Sequence, residues 1–331
     1  MEFIKELEKW RGKKVLIIGD ALIDRYILGN ADKLSPDAPV PNIKVEKSQI
    51  YLGAIGLVLQ YIISLGGLPE ICTIVGDDYE GDFFIKKIKE LNVNSSNIIV
   101  DANISTPQIT RIKAMNQHML RLESDYTNEI SDLVIDQFLT MVESNFNNID
   151  AIILLDYETG ALFNDAIINK VLKLLRRTYV NVPIIARPNM ANYYLYEGID
   201  LLKINLQKAL KSFSIDCFTD TSAAIAGKKI ISSSKCDNLL LNYLETDSFL
   251  FSKHKENIEK ISPVLKNSVR SYVAVGSVIM AVLGLVFASK IPLLTGAKIA
   301  MHAATLSAIS PPVDFFTTEK LKEFIKERSV K

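Results

Sequence analysis

The chain has 331 residues, of which 48% are hydrophobic and 23% charged, and this length allows one large α/β domain or two smaller ones. Lysine plus arginine and aspartate plus glutamate are equal at 38 each, so no net charge draws the chain to nucleic acid or to an anionic membrane. Three cysteines without metal-ligand spacing predict reduced thiols in a cytoplasmic protein and argue against a structural metal or a disulfide framework.

The first predicted elements are a helix, a strand and a loop with two carboxylates. Residues 1–14 are rich in charge and place apolar side chains at helical spacing, which predicts a docking amphipathic helix and not a signal peptide. Residues 15–18 are continuously apolar, as in a buried parallel strand. Asp20 and Asp24 follow at its carboxyl end, the edge where open α/β sheets bind ligands. On spacing alone, two interpretations stay open. Asp20 and Asp24 form a ligand site, or they belong to a polar loop in which Asp20 caps a local group.

A proline-rich segment and a hairpin predict a small lid. Residues 35–41 read SPDAPVP, and three prolines in one short segment cannot lie inside a helix, so this segment is an extended flap. Residues 110–114 and 118–123 have the pattern of a β-hairpin beside it. We therefore predict a β lid from about residues 27–46 and 108–123.

The rest of the chain alternates between strand-like and helical patterns. Strands are predicted at residues 70–75, 98–100, 151–155, 183–186, 201–203 and 238–241. Helices are predicted at residues 53–64, 80–91, 131–144, 164–176, 221–232, 297–307 and 318–327. This alternation predicts a doubly wound, mainly parallel sheet of the α/β class. Because no repeat or long linker divides the chain, we predict a single domain over residues 1–331 that includes the lid.

The longest uncharged apolar run covers residues 272–288 and has two interpretations. A transmembrane helix needs about 20 apolar residues, whereas a helix buried on all sides of a large domain gives a similar run. The run is short for a membrane span and includes Gly276, Ser277 and Gly284, so a buried helix beginning near Gly276 is favoured. Its first turn would present free backbone N–H groups, which attract anions.

Four motifs carry a resemblance to a known family. They are GD followed by DRY at residues 19–26, SPDAPVP at 35–41, NQ followed by RL at 116–122, and DY followed by GAL at 156–162. With them the chain closely resembles the ribokinase-like (PfkB) carbohydrate kinases, specifically the D-glycero-D-manno-heptose 7-phosphate kinases, over nearly its whole length. The resemblance implies a ribokinase-like fold, ATP and Mg²⁺ as the cofactors of an active member, and a homodimer through the lid or a pair with an active kinase subunit.

The resemblance also implies a sugar-phosphate site. Asp20 and Asp24 would accept hydrogen bonds from sugar hydroxyls, since an ionised acceptor makes the stronger bond. Lys113 and Arg121 would hold the anionic end of a sugar phosphate. A salt bridge between Asp24 and Arg25 is the structural alternative for this carboxylate.

Gly53 and Asp156 complete the substrate-binding residues that the resemblance implies. At Gly53 the sequence departs from the family, in which Gly-Gly-Ala-Ala-Asn begins a helix that touches the sugar. Here the helix begins Gly-Ala-Ile-Gly and continues with Leu57, whose apolar side chain cannot hydrogen-bond a hydroxyl.

The catalytic box of the resembled kinases is altered. Active relatives carry Gly-Ala-Gly-Asp, in which the glycines let backbone N–H groups approach the phosphoryl group and the aspartate accepts the substrate proton. This sequence has Ala274, Val275, Gly276 and Ser277 at those positions. A serine hydroxyl stays protonated near neutral pH and is no general base unaided. Ala274 and Val275 add bulk where close backbone approach is needed.

Other nucleotide-side positions are altered too. The family's Asn-x-x-Glu, associated with Mg²⁺ and phosphate, is Asn205 to Lys208 here, with a cation in place of the acid. The family's Asp-Pro-Lys is Arg-Pro-Asn at residues 187–189, and the turn at 242–247 lacks glycine. By resemblance, His302 would also lie on the nucleotide side.

Two functions stay open at this point. One is a catalytically impaired pseudokinase that retains binding of a sugar phosphate or of a partner subunit. The other is an active ATP-dependent heptose 7-phosphate kinase with a rearranged site, in which Asp156 or Asp20 would have to be the base. Because four altered sites concern the same ligand, we favour the first. We assign no residues to a resident metal.

Overall fold

The computed structural model of the chain describes residues 2–115, 117–125, 129–157, 162–265, 271–311 and 313–329. The helices are α1 (Glu2–Leu7), α2 (Ala54–Ser64), α3 (Tyr79–Glu90), α4 (Asp132–Ser144), α5 (Asp165–Thr178), α6 (Leu206–Ser212), α7 (Asp220–Ser234), α8 (Val275–Ala288), α9 (Leu293–Ile309) and α10 (Thr318–Ser329). The strands are β1 (Lys14–Gly19), β2 (Ile23–Leu34), β3 (Pro41–Leu52), β4 (Leu68–Gly76), β5 (Ile98–Asp101), β6 (Gln108–Ala114), β7 (Gln117–Ser124), β8 (Ala151–Leu155), β9 (Ile184–Arg187), β10 (Leu201–Asn205), β11 (Asn238–Asn242), β12 (Ser248–Ser252) and β13 (Lys255–Ile261).

The large sheet has nine strands in the order β13-β12-β11-β10-β9-β8-β1-β4-β5. All pairs from β5 to β11 are parallel, and β12 and β13 add an antiparallel edge. The chain order runs outward in both directions from β1, so the sheet is doubly wound as predicted. The carboxyl ends of β1 and β8 therefore lie side by side where the winding reverses, which is where such sheets bind ligands.

The predicted lid is a second sheet of four strands in the order β3-β2-β6-β7. The hairpin predicted over residues 110–123 is present as β6 and β7, and β2 and β3 are longer than the sequence pattern indicated. Asn116 of the NQ motif lies outside the described residues, as do Gly160 and Ala161 of the GAL motif.

The apolar run forms α8, a helix buried on all sides. One side contacts β1 and β8 of the large sheet, and the others contact α2 and α9. The buried-helix interpretation is therefore correct. Within the described ranges, no helix has both the length and the apolar character that a membrane span requires.

Several elements differ from the sequence prediction. The predicted helix at 1–14 is shorter: α1 ends at Leu7, a 3₁₀ turn covers Glu8–Trp10, and Gly12 has a φ of +75°, which stops helical continuation. Met1 lies outside the described residues. The elements α6, β12 and β13 were not predicted from the sequence.

Two glycines of α8 allow a matched test of its packing. A Cβ at Gly284 would lie 2.6 Å from Cδ1 of Ile153 on β8. At Gly276 the nearest atom to a Cβ would be Nζ of Lys203, at 3.7 Å. Alanine gains about 1 kcal/mol of helix propensity at either position, so overpacking should leave Gly284→Ala less stable than Gly276→Ala by about 1–3 kcal/mol. Denaturant titration measures this difference, and equal stabilities would contradict the packing described.

Candidate functional site

Asp20 follows β1 and Asp156 follows β8, and the parallel pairing of these strands brings the two carboxylates to one edge of the sheet. Both are buried. Oδ2 of Asp20 accepts the backbone N–H of Tyr157 at 2.9 Å. Asp20 and Asp156, which were predicted to bind the substrate, therefore lie together at the topological switch point of the sheet.

Oδ2 of Asp156 serves as an acceptor for the loop after β9. It accepts the backbone N–H of Asn189 at 3.3 Å, the amide of Asn192 at 3.1 Å and the hydroxyl of Tyr196 at 3.4 Å. The pKa of Tyr196 is raised far above its usual value, mainly by burial and also by the neighbouring Asp156 and Asp20 charges. Asp156 therefore organises the wall of the site through this oxygen.

Asp24 lies on β2, is 3% exposed, and makes an ion pair with Arg111 of β6. Burial raises the pKa of Asp24, and the charges of Arg111 and Arg121 oppose that rise. A Cβ at Gly53 would lie 3.0 Å from Oδ2 of Asp24, so the glycine permits the start of α2 to approach the carboxylate. Among the described residues the ion-pair partner of Asp24 is Arg111, and the alternative pair with Arg25 is not formed.

The predicted anion-holding residues lie on the lid. Arg121 forms an ion pair with Glu123, and Nζ of Lys113 lies 5.7 Å from the ring centroid of Tyr26. The sequence analysis missed Arg111, although strand alternation places it on the same face of β6 as Lys113. That alternation is the signal that could have found it.

Tyr157 connects Asp20, at the carboxyl edge of the large sheet, to the first turn of α8. Its hydroxyl lies 3.1 Å from Oγ of Ser277, which is 2% exposed. The guanidinium carbon of Arg187 lies 3.9 Å from the Tyr157 ring centroid, within the range of a cation–π contact. Ala274, the N-cap residue of α8, makes no side-chain capping bond, and no acidic residue lies in the first turn.

A cavity of about 720 Å³ adjoins this turn. Val275 and Gly276 line it, together with residues of the turn after β11, which was predicted to lie on the nucleotide side. The charged residues that line it in the described chain are Arg121, Arg187, Lys203, Lys208 and Glu245. The cavity wall is therefore strongly cationic.

Lys203 is a charged residue of the cavity that was not predicted from the sequence. It lies on β10, is 3% exposed, and its Nζ faces Gly276 in the first turn of α8. Burial holds the pKa of Lys203 well below its usual value, and the nearby charges of Arg187 and Lys208 lower it further. A lysine inside the apolar segment LLKI of a central parallel strand was the available signal, because both faces of such a strand are buried.

Of the remaining residues predicted to lie on the nucleotide side, two line the cavity and one does not. Oδ1 of Asn205 accepts the backbone N–H of Lys208 at 3.0 Å, so Asn205 is the N-cap of α6, and both residues line the cavity. His302 lies on α9, where its Nδ1 is 2.9 Å from the Lys298 carbonyl oxygen and its ring meets Phe324 edge-on. It is not one of the described residues that line the cavity.

The donor set of the cavity does not fit Mg²⁺. This ion binds oxygen ligands, chiefly one or two carboxylates plus phosphate oxygens. Glu245 is the one carboxylate among the described lining residues, and it accepts the hydroxyl of Tyr272. Nowhere in the described ranges do three or more His, Cys, Asp or Glu residues form a group that could hold a metal ion.

Solved structures with this architecture define the class of the fold. A ribokinase from Arabidopsis thaliana, complexed with ribose and ATP, has a TM-score of 0.75 and 15% identity, covering 95% of this chain and 99% of that chain. Phosphofructokinase-2 from Escherichia coli in complex with potassium has a TM-score of 0.76 and 12% identity, covering 96% and 99%. The fold is ribokinase-like, as predicted.

Residues 13–313 match the family described as pfkB family carbohydrate kinase, and the chain belongs to that family. The bifunctional protein HldE of Trichlorobacter lovleyi is 26% identical over 294 residues, covering 89% of this chain and 59% of the relative. HldE of Geobacter sulfurreducens is 25% identical over 289 residues, covering 87% and 58%. This chain thus spans less than two thirds of the length of these relatives, and the family resemblance is confirmed.

Replacing Lys203 by methionine should stabilise the protein by on the order of 1 kcal/mol or more, because it removes a buried ammonium group. The folded-state pKa of Lys203 is depressed, so the cost is fully present below that pKa and fades as the pH rises toward the unfolded value. The stability advantage of Lys203→Met should therefore shrink from neutral to alkaline buffers. Melting scans across pH test this, with the exposed Lys211→Met of α6 as control. An advantage that grows with pH would contradict it.

Proposed function

We propose that this pfkB family member is a catalytically impaired kinase homologue that binds a sugar phosphate and does not transfer a phosphoryl group from ATP. The observation that carries the proposal is the first turn of α8, where Ser277 bonds to Tyr157 and Lys203 lies beside Gly276. The substrate class, a heptose 7-phosphate, rests on the motifs at residues 19–41.

The sugar side supports binding. Asp20 lies at the carboxyl edge of the large sheet and Asp24 lies on β2 of the lid, and both are buried carboxylates suited to accept hydrogen bonds from vicinal hydroxyls. Arg111 and Arg121 lie opposite each other on β6 and β7, and guanidinium groups bind phosphate through paired N–H donors. A sugar whose hydroxyls reach the carboxylates could thus place its phosphate against the lid.

The residues at the first turn of α8 do not support phosphoryl transfer. A positioned general base contributes about 10²–10⁴-fold to rate, and the hydroxyl of Ser277 supplies no such base. Asp20 and Asp156, the bases that an active kinase would need instead, accept hydrogen bonds from Tyr157, Asn192 and other structural donors. These bonds engage Oδ2 of each carboxylate.

The first test separates binding from turnover. Heptose 7-phosphate at 100 times its dissociation constant should stabilise the protein by about 2.7 kcal/mol, which a melting scan detects as a shift. Asp24→Asn should lose the shift, whereas Asp32→Asn, at an exposed position on the same strand, should keep it.

A coupled ADP assay with ATP, Mg²⁺ and the sugar phosphate should show no sugar-dependent turnover. Rates of about 1–100 per second, ordinary for kinases, would establish the active-kinase alternative.

The second test is a rescue series. Ser277→Asp alone should not restore activity, because its carboxylate would lie beside the Lys203 ammonium while Ala274 and Val275 still obstruct the turn. The complete rescue combines it with Ala274→Gly, Val275→Ala and Lys208→Glu. Because residues that act as a unit are not additive, only the combined variant should gain measurable rate. Full activity in Ser277→Asp alone would show that the other changes are neutral.

The lid sheet has two chemically different faces. In the strand register, Tyr26 lies opposite Arg111, and Arg111 lies opposite Arg121, so these residues share the inner face with Asp24. We call the opposite face, which carries Ile27, Val45, Ile112, Leu120 and Leu122, the outer face. Val45 is 57% exposed, and Leu120 and Leu122 are each 50% exposed. A sheet face this apolar and exposed is typical of an interaction surface.

We propose that the outer face packs against the same face of a second copy, giving a twofold dimer. Sedimentation should show a dimer at micromolar concentration, and Leu120→Lys combined with Leu122→Lys should give a folded monomer. Leu133→Lys, at a 79% exposed position on α4, should stay dimeric. A wild-type protein that sediments only as a monomer would rule out this homodimer.

A further inference from the structure

Unmatched polar atoms surround the cavity beside α8. Lys203 makes no hydrogen bond or ion pair within the described part of the chain, although it is 3% exposed. Over the same residues, Nη1 of Arg187 is a buried donor without a hydrogen-bond acceptor. Buried donors of this kind are costly unless something accepts from them. The orphaned cationic donors therefore point to an anionic ligand.

The helix beside these side chains adds positive potential of its own. α8 has 14 residues, no side-chain cap and no acidic residue in its first turn. Its first backbone N–H groups have no intrahelical acceptor, and the helix dipole places about half a positive charge at this end. Nζ of Lys203 faces the same turn, at Gly276. Side-chain and backbone donors therefore converge on one region of the cavity.

We propose that this cavity binds a polyphosphate anion without Mg²⁺, with Lys203 and Arg187 supplying the positive charge against the phosphates. A ligand with several negative charges fits, because the described lining holds four cationic side chains against Glu245 alone. The same cations repel a divalent metal ion, so Mg²⁺ already paired with the anion weakens its binding. This inference goes beyond the proposed function, since it concerns equilibrium binding on the other side of Ser277 and requires neither sugar binding nor loss of transfer.

Anion binding at this site is also coupled to the uptake of a proton by Lys203. Burial and the charges of Arg187 and Lys208 hold the pKa of Lys203 low, and a bound polyanion raises it. Binding therefore takes up a proton, and the affinity falls as the pH rises. The charged and titratable groups that face the cavity are Arg121 from β7, Arg187 from the end of β9, Lys208 from α6, Tyr243 and Glu245 from the turn after β11, and Tyr272 before α8.

Isothermal titration calorimetry with inorganic pyrophosphate tests the inference on the full chain. Titrations in EDTA should show binding, and added Mg²⁺ should weaken it. Repeating them in two buffers with different ionisation enthalpies should reveal net proton uptake. ATP in EDTA forms a second arm: an affinity equal to that of pyrophosphate assigns the site to free polyphosphate, and a tighter one assigns it to a nucleotide.

Variants connect the binding to the buried lysine. Lys203→Met should weaken binding about 10- to 100-fold, as expected for loss of a charged donor, and should abolish proton uptake. Lys203→Arg should keep the Mg²⁺-independent binding and lose the proton uptake. Lys211→Met, exposed on α6, should change neither. The inference is overturned if pyrophosphate and ATP both fail to bind in EDTA, if binding requires Mg²⁺, or if a folded Lys203→Met binds as tightly as the wild type.

Discussion

Burial of α8 against the central strands is the constraint on which the rest of the structure depends. The helix lies between the large sheet on one side and α2 and α9 on the others, so it must be apolar all round. Gly284 lets it approach Ile153 and Val15 closely. With the helix held in this way, Gly276 lies beside Lys203 of β10 and Ser277 lies beside Tyr157, which follows β8, at the edge where open α/β sheets bind ligands.

The residues around the first turn of α8 are the basis of the proposal that this protein binds ligands without phosphoryl transfer. Tyr157 reaches both sides, through its backbone N–H to Asp20 and through its hydroxyl to Ser277. On the sugar side the buried groups are carboxylates matched by arginines of the lid. On the other side a buried lysine faces the helix start, so positive charge meets positive potential. An arrangement of this kind attracts anions, and the proposal that it does not transfer a phosphoryl group rests on Ser277 in place of a carboxylate base.

The sequence was sufficient for features that depend on local pattern and insufficient for those that depend on distant contacts. The apolar run of α8, the alternation of strands and helices, and the position of Asp20 after β1 follow from periodicity. Arg111 was missed as the partner of Asp24 because the pair joins β6 to β2, although its place on the same face of β6 as Lys113 was visible in the sequence. Lys203 was missed because its position beside the first turn of α8 depends on the packing of β10 beneath that helix. Its place in an apolar strand was visible in the sequence.

The central claim is that the first turn of α8 holds ligands without moving a phosphoryl group. The most direct measurement is a single-turnover experiment with the protein in excess over ATP labelled in its γ-phosphate, in the presence of Mg²⁺ and heptose 7-phosphate. Even one transfer per site is visible in this design, whatever the rate of product release. We predict that the label stays in ATP throughout an incubation of hours. Label on the sugar phosphate within about one second, as ordinary kinase rates would give, would contradict the account.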